Sequence, residues 1–141
     1  SRYPEMGGDE MYPDICADNL NPLAAYIATD YGGDGGVCIN IWDGTKMVFP
    51  VNANKTIDSA GGSGSPRFAP QLAPAKGGGA FISWTSGGRV KVRSITLDGT
   101  LGDTVDICAG SKASICTDSN GDIHLVYKNN GVRYRKLTVT R

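Results

Sequence analysis

A chain of 141 residues with 14 Lys+Arg against 14 Asp+Glu has room for one domain or a piece of a larger one, and its zero net charge removes the cationic surface that generic nucleic-acid binding needs. No apolar run reaches the about 18 residues of a membrane span, so no membrane insertion is expected, and no charged-then-apolar leader opens the chain, so any signal peptide is expected to be gone already. With 40% apolar residues and 20 glycines, the composition is that of a turn-rich all-β domain.

No window repeats apolar residues at helical spacing for three turns, whereas short alternating runs bounded by Gly, Asn or Asp recur throughout. Residues 1–12 show no strand pair of their own and read as an N-terminal extension, a candidate donor of an edge strand. Strands are predicted at 23–28, 37–42 and 46–51, followed by a flexible connection at 58–66. The run 80–84 pairs with 90–97 across Ser86-Gly87-Gly88. Strands at 104–108 and 113–117 follow, and 123–127 with 132–139 makes a last hairpin across Asn129-Asn130-Gly131.

Four cysteines permit three pairings. Cys108 and Cys116 flank a turn-sized interval between two strand-like runs, which predicts a Cys108–Cys116 disulfide with Cys16–Cys38 as the second, and hence an oxidising, extracellular compartment. Four buried thiols are the alternative. Asn54-Lys55-Thr56 fits the N-glycosylation acceptor pattern. Asp118, Asn120 and Asp122 have the spacing at which loop oxygens converge on calcium, the one cofactor considered, although Asp and Asn are also ordinary turn residues. His124, the single histidine, falls one residue off the apolar phase of its strand and is expected to face solvent or a groove. No nucleophile elbow accompanies it, so no catalytic residue is assigned and an enzyme is not expected. Trp42 and Tyr134 at strand ends suit stacking on sugar rings, with Asp43, Asn129, Asn130 and Arg133 as hydroxyl partners.

The strands repeat. The segments Pro13 to Asp18, Pro70 to Ala75 and Ala113 to Asp118 each lead through a polar turn to an aromatic residue: Tyr26, Trp84 and Tyr127. These three are taken as equivalent core positions. Three units follow, at about 13–66, 67–110 and 111–141, the first two ending in four short antiparallel strands, the size of a propeller blade. The order Pro70-Gln71-Leu72-Ala73, Phe81-Ile82-Ser83-Trp84 and Ile95-Thr96-Leu97-Asp98-Gly99 resembles the repeats of secreted bacterial β-propellers. Asp118 to Tyr127 resembles the matching hairpin of sialidase-like and lectin-type propellers, with Ser119 where the Asp-box has its Asp. The resemblance implies an all-β fold of about three blade-like repeats, a β-sandwich being the alternative. It also implies an extracellular, carbohydrate-binding module, with a structural subunit of a cell-surface or filamentous assembly, or a non-catalytic piece of a secreted glycoside hydrolase, as alternatives. The third unit stops where its fourth strand would begin, so a homo-oligomer or a second chain is expected to complete the assembly.

Overall fold

In a computed structural model, residues 10–31, 36–50, 53–58 and 69–140 are described. They form eleven strands and no helix, in three antiparallel sheets. Sheet 1 runs β1 (Glu10–Ala17), β2 (Ala25–Tyr31), β3 (Val37–Trp42), β4 (Lys55–Asp58). Sheet 2 runs β5 (Gln71–Pro74), β6 (Ala80–Ser86), β7 (Arg89–Ile95), β8 (Val105–Ala109). Sheet 3 holds β9 (Ser111–Thr117), β10 (Ile123–Lys128) and β11 (Val132–Leu137). Each is a meander of sequence neighbours, so the chain is all-β and built of blade-like sheets, three in number where a sandwich has two.

Several expectations are corrected. Glu10 to Tyr12 belong to β1, which pairs with β2 through a register shift between Met11 and Asp14. Residues 1–9 and 59–68 lie outside the described residues, and with them most of the proposed 1–12 donor segment and most of the 58–66 connection. Residues 46–50 form no strand beyond one bridge between Met47 and Trp42, and Val51 is outside the described residues. The buried Asn40 amide takes the groups a neighbouring strand would use: its Nδ2 donates to the Phe49 carbonyl at 3.0 Å, and its Oδ1 accepts from the Phe49 N–H at 3.0 Å. The fourth strand of sheet 1 is β4 instead.

Neither disulfide forms. Cys108 sits on β8 opposite Val90 and Cys116 on β9 opposite His124, so the two belong to different sheets. The turn between them is a crossing held by Gly110 N–H on the Gly88 carbonyl and Lys112 N–H on Thr85 Oγ1. Cys16 and Cys38 lie on β1 and β3 with β2 between them and three residues out of row, roughly 14 Å apart by strand spacing and rise and beyond disulfide reach. Burial pushes the Cys16 thiol up to about 12, with Asp14 and Asp18 adding to the shift.

The registers make the sheets superposable strand by strand. Asp18 N–H to the Ala24 carbonyl, Ala75 N–H to Gly79 and Asp118 N–H to Asp122 close the three first turns. The next residues, Ala25, Ala80 and Ile123, face Ala17, Pro74 and Thr117. Cys16–Tyr26–Ile41, Ala73–Phe81–Ser94 and Cys116–His124–Lys136 are therefore equivalent rows. Trp84 and Tyr127 are equivalent, but Tyr26 is not their counterpart. The turn from Asp18 to Ala24 is two residues longer than the other two, which moves Tyr26 to the position of Phe81 and His124 on the opposite face.

Each sheet has a front face toward the preceding sheet and a back face toward the following one. The back of sheet 1 (Tyr26, Ala28, Ile39, Ile41) packs with the front of sheet 2 (Leu72, Ala80, Ile82, Trp84) in one core. Val90 on the back of sheet 2 packs with Ala113 and Leu125 on the front of sheet 3 in a second.

Candidate functional site

One contact repeats at both junctions, and a different one at each junction joins the inner strands. Arg93 of β7 donates from Nη1 to the Ile57 carbonyl of β4 at 2.7 Å, and the equivalent Arg135 of β11 donates to the Ile107 carbonyl of β8 at 3.0 Å. At the inner strands, Asp14 Oδ2 accepts from Leu72 N–H at 2.7 Å, and Thr117 Oγ1 donates to the Pro74 carbonyl at 2.7 Å.

Asp18 is the centre of the first junction. Its Oδ2 accepts from Leu20 N–H and Asn21 N–H, and its Oδ1 from the Tyr26 hydroxyl and, across the sheets, from Gly79 N–H at 2.9 Å. Burial raises its pKa and the four donors outweigh it, so the carboxyl titrates below its ordinary value. Burial, with Asp18 beside it, raises the pKa of Tyr26.

The same pair recurs on the back face of sheet 3, which no other sheet covers among the described residues. Asp118 stands where Asp18 stands, and His124 where Tyr26 stands. Asp118 Oδ1 accepts from Asn120 N–H and Asp122 N–H, and Oδ2 lies 2.7 Å from His124 Nε2. His124 Nδ1 lies 2.7 Å from the Tyr134 hydroxyl, and the two rings stack with centroids 5.9 Å apart. The hydrogen bond from His124 is the main cause that holds the Asp118 carboxyl below the ordinary carboxylate value. Around this trio a shallow depression of about 310 Å³ is lined by Ser114, Cys116, Val126 and Tyr134 among others. Tyr134 is 61% exposed and Val126 42%. The site offers an aromatic plane backed by an imidazole and a carboxylate, with apolar flanks. It can stack, accept and donate.

The sugar-contact candidates do not assemble into one site. Trp42 is half-buried at the end of β3 and Asp43 caps its own turn, its Oδ1 accepting from Thr45 N–H and Lys46 N–H, which lowers its pKa. Both belong to sheet 1. Asn129, Asn130, Arg133 and Tyr134 lie on the last hairpin of sheet 3. There Asn129 Nδ2 donates to the Ala109 carbonyl, Arg133 Nε donates to the Asn129 carbonyl, and Asn130 takes the left-handed conformation of its turn at φ 51°.

At the calcium candidate, Asp118 is occupied as above, while Asp122 Oδ1 accepts from Val139 N–H and its Oδ2 lies 3.7 Å from Lys136 Nζ. These oxygens face N–H donors and a cation, which describes a hairpin turn, and no His, Cys, Asp and Glu cluster fit for a metal occurs among the described residues. Asn54 accepts at Oδ1 from Asn40 Nδ2 at 2.8 Å. The linkage of His124 to Asp118 and Tyr134 escaped the sequence. The one available signal was the repetition of Cys16 and Asp18 by Cys116 and Asp118, which placed Asp118 at a seating position.

The described residues thus define a class, a serial stack of three blade-like antiparallel sheets. No family model matches the chain, and neither a curated protein nor a solved structure does.

Proposed function

We propose that this chain is an assembly module in which the back face of sheet 3 seats the front face of sheet 1 of a second copy, head to tail, extending the stack toward a propeller-like ring or a filament. The observation that carries this reading is the recurrence of the Asp18–Tyr26 pair as Asp118–His124 on a face that nothing covers among the described residues. The complementary face supports it. Ile15 on the front of sheet 1 is 64% exposed, whereas its counterpart Leu72 in sheet 2 is 7% exposed beneath sheet 1. Heterologous contacts of this kind close into rings or run on as filaments.

Light scattering tests it. The chain is expected to exceed its 14.8 kDa monomer mass at micromolar concentration. Ile15→Asp and Val126→Asp should each return it to monomer while leaving its circular dichroism unchanged. A monomer at all accessible concentrations defeats the reading.

A carbohydrate ligand is the second reading, favoured by the exposed Tyr134 ring with its His124 and Asp118 backing. Glycan-array binding lost in Tyr134→Ala, with the mass unchanged, supports it over assembly. The expected disulfides were the main argument for an extracellular setting, and without them that setting rests on the resemblance alone.

A further inference from the structure

Sheets 1 and 2 have four strands and sheet 3 has three; among the described residues β11 pairs with β10 alone. The place beside β11 is the one that β4 and β8 fill. Those two strands are equivalent in detail: each meets its neighbour through a register shift, between Val37 and Cys38 and between Val90 and Lys91, and each carries an isoleucine, Ile57 or Ile107, whose carbonyl receives an arginine of the next sheet. An unpaired strand edge presents a row of N–H and C=O groups to any extended chain that can reach it.

The chemistry along the edge selects the occupant. In sheet 2, Asp106 of β8 stands opposite Lys91 and bonds Arg89 at 2.9 Å. The β11 counterparts of Lys91 and Arg93 are Arg133 and Arg135, with Lys136 beside them, all exposed, so this edge is as cationic as the one β8 covers, where Arg89, Lys91 and Arg93 stand and Asp106 answers them. At the Leu137 end, a groove of about 420 Å³ opens between sheets 2 and 3, lined by Val92, Val105, Ile107, Ile123, Leu137 and Val139 among others. We infer that β11 is a strand-acceptor site for an extended peptide in which acidic and apolar residues alternate, added antiparallel with a carboxylate opposite Arg133. The inference is independent of the head-to-tail contact, which uses a sheet face.

The probe is a synthetic peptide with the β8 pattern, Thr-Val-Asp-Ile-Ser-Ala-Gly, against its counterpart with Lys in place of Asp, titrated into the intact labelled chain and followed by NMR. The Asp peptide is expected to shift and protect amides of β11 and to bind roughly tenfold more tightly than the Lys peptide, a ratio that shrinks as salt rises. Arg133→Glu should reverse the preference. If that variant does not fold, the two peptides on the unaltered chain decide. Equal affinities, no binding, or shifts confined to the outer faces of sheets 1 and 3 overturn the proposal, and none of these results bears on the oligomer mass that tests the head-to-tail reading.

Discussion

Asp18 and Asp118 hold the same position in two sheets and differ in their partner, Tyr26 or His124, and in what lies over them among the described residues. Asp18 is buried and accepts from four donors, one of which, Gly79 N–H, comes from the next sheet. Asp18→Ala leaves those donors without partners, and a buried donor left unmet costs about 1–3 kcal/mol, so urea denaturation should show a loss of about 2–4 kcal/mol. Asp118→Ala, at an open face where water can replace the carboxylate, should lose distinctly less. Because the folded-state pKa of Asp18 is depressed, its contribution is fully present above the ordinary carboxylate pKa and is lost as pH falls below that value toward the folded pKa. The melting temperature should therefore drop on acidification below about pH 4, and Asp18→Asn should flatten that limb. An unchanged acid limb in Asp18→Asn would assign the acid sensitivity to other carboxylates.

At the scale of the element, the turns set which residue meets which. Gly79 sits at φ +85°, and a Cβ there would lie 2.6 Å from the Ile95 carbonyl oxygen, a backbone atom that cannot step aside. Gly87 also has positive φ, at +59°, but a Cβ there meets nothing within 4 Å. Gly79→Ala should consequently destabilise by more than Gly87→Ala, which carries only the left-handed cost of about 1 kcal/mol, and paired thermal melts compare the two. Turn chemistry is also where the sequence was most and least legible. Asn129-Asn130-Gly131 marked its hairpin, and the alternation of residues 80–95 marked β6 and β7, because those signals are local. The alignment of Tyr26 with Trp84 failed because the extra length of one turn is invisible until the hydrogen bonds that close it are known. The strand expected at 46–51 failed over its described residues 46–50 because a single buried side chain, Asn40, supplied what a strand partner would have supplied. The seating site was legible only as a repeated Cys-x-Asp, since its ring stack depends on the cross-strand neighbours His124 and Tyr134.

At the scale of the molecule, the three sheets are unequal in cover although they are alike in build. Among the described residues sheet 2 is packed on both faces, and sheets 1 and 3 on one each. The strand pairs of the described residues join neighbours in sequence, whereas the contacts between sheets join distant residues, Asp18 with Gly79 among them. In this organisation the strong contacts between sheets join sheet 1 to sheet 2 and sheet 2 to sheet 3. It makes opening a graded process with a direction. Native-state hydrogen exchange should find β6 and β7 protected to the level of global unfolding, while β11 and the front of β1 exchange through local openings of lower free energy. Uniform protection in all three sheets would contradict this. A polypeptide that opens from its ends inward, and keeps its middle closed, carries its reactive surfaces on its least stable parts; a partner that covers one end then suppresses the openings there, and ligand binding should be readable as a local slowing of exchange before any shift in melting temperature is seen.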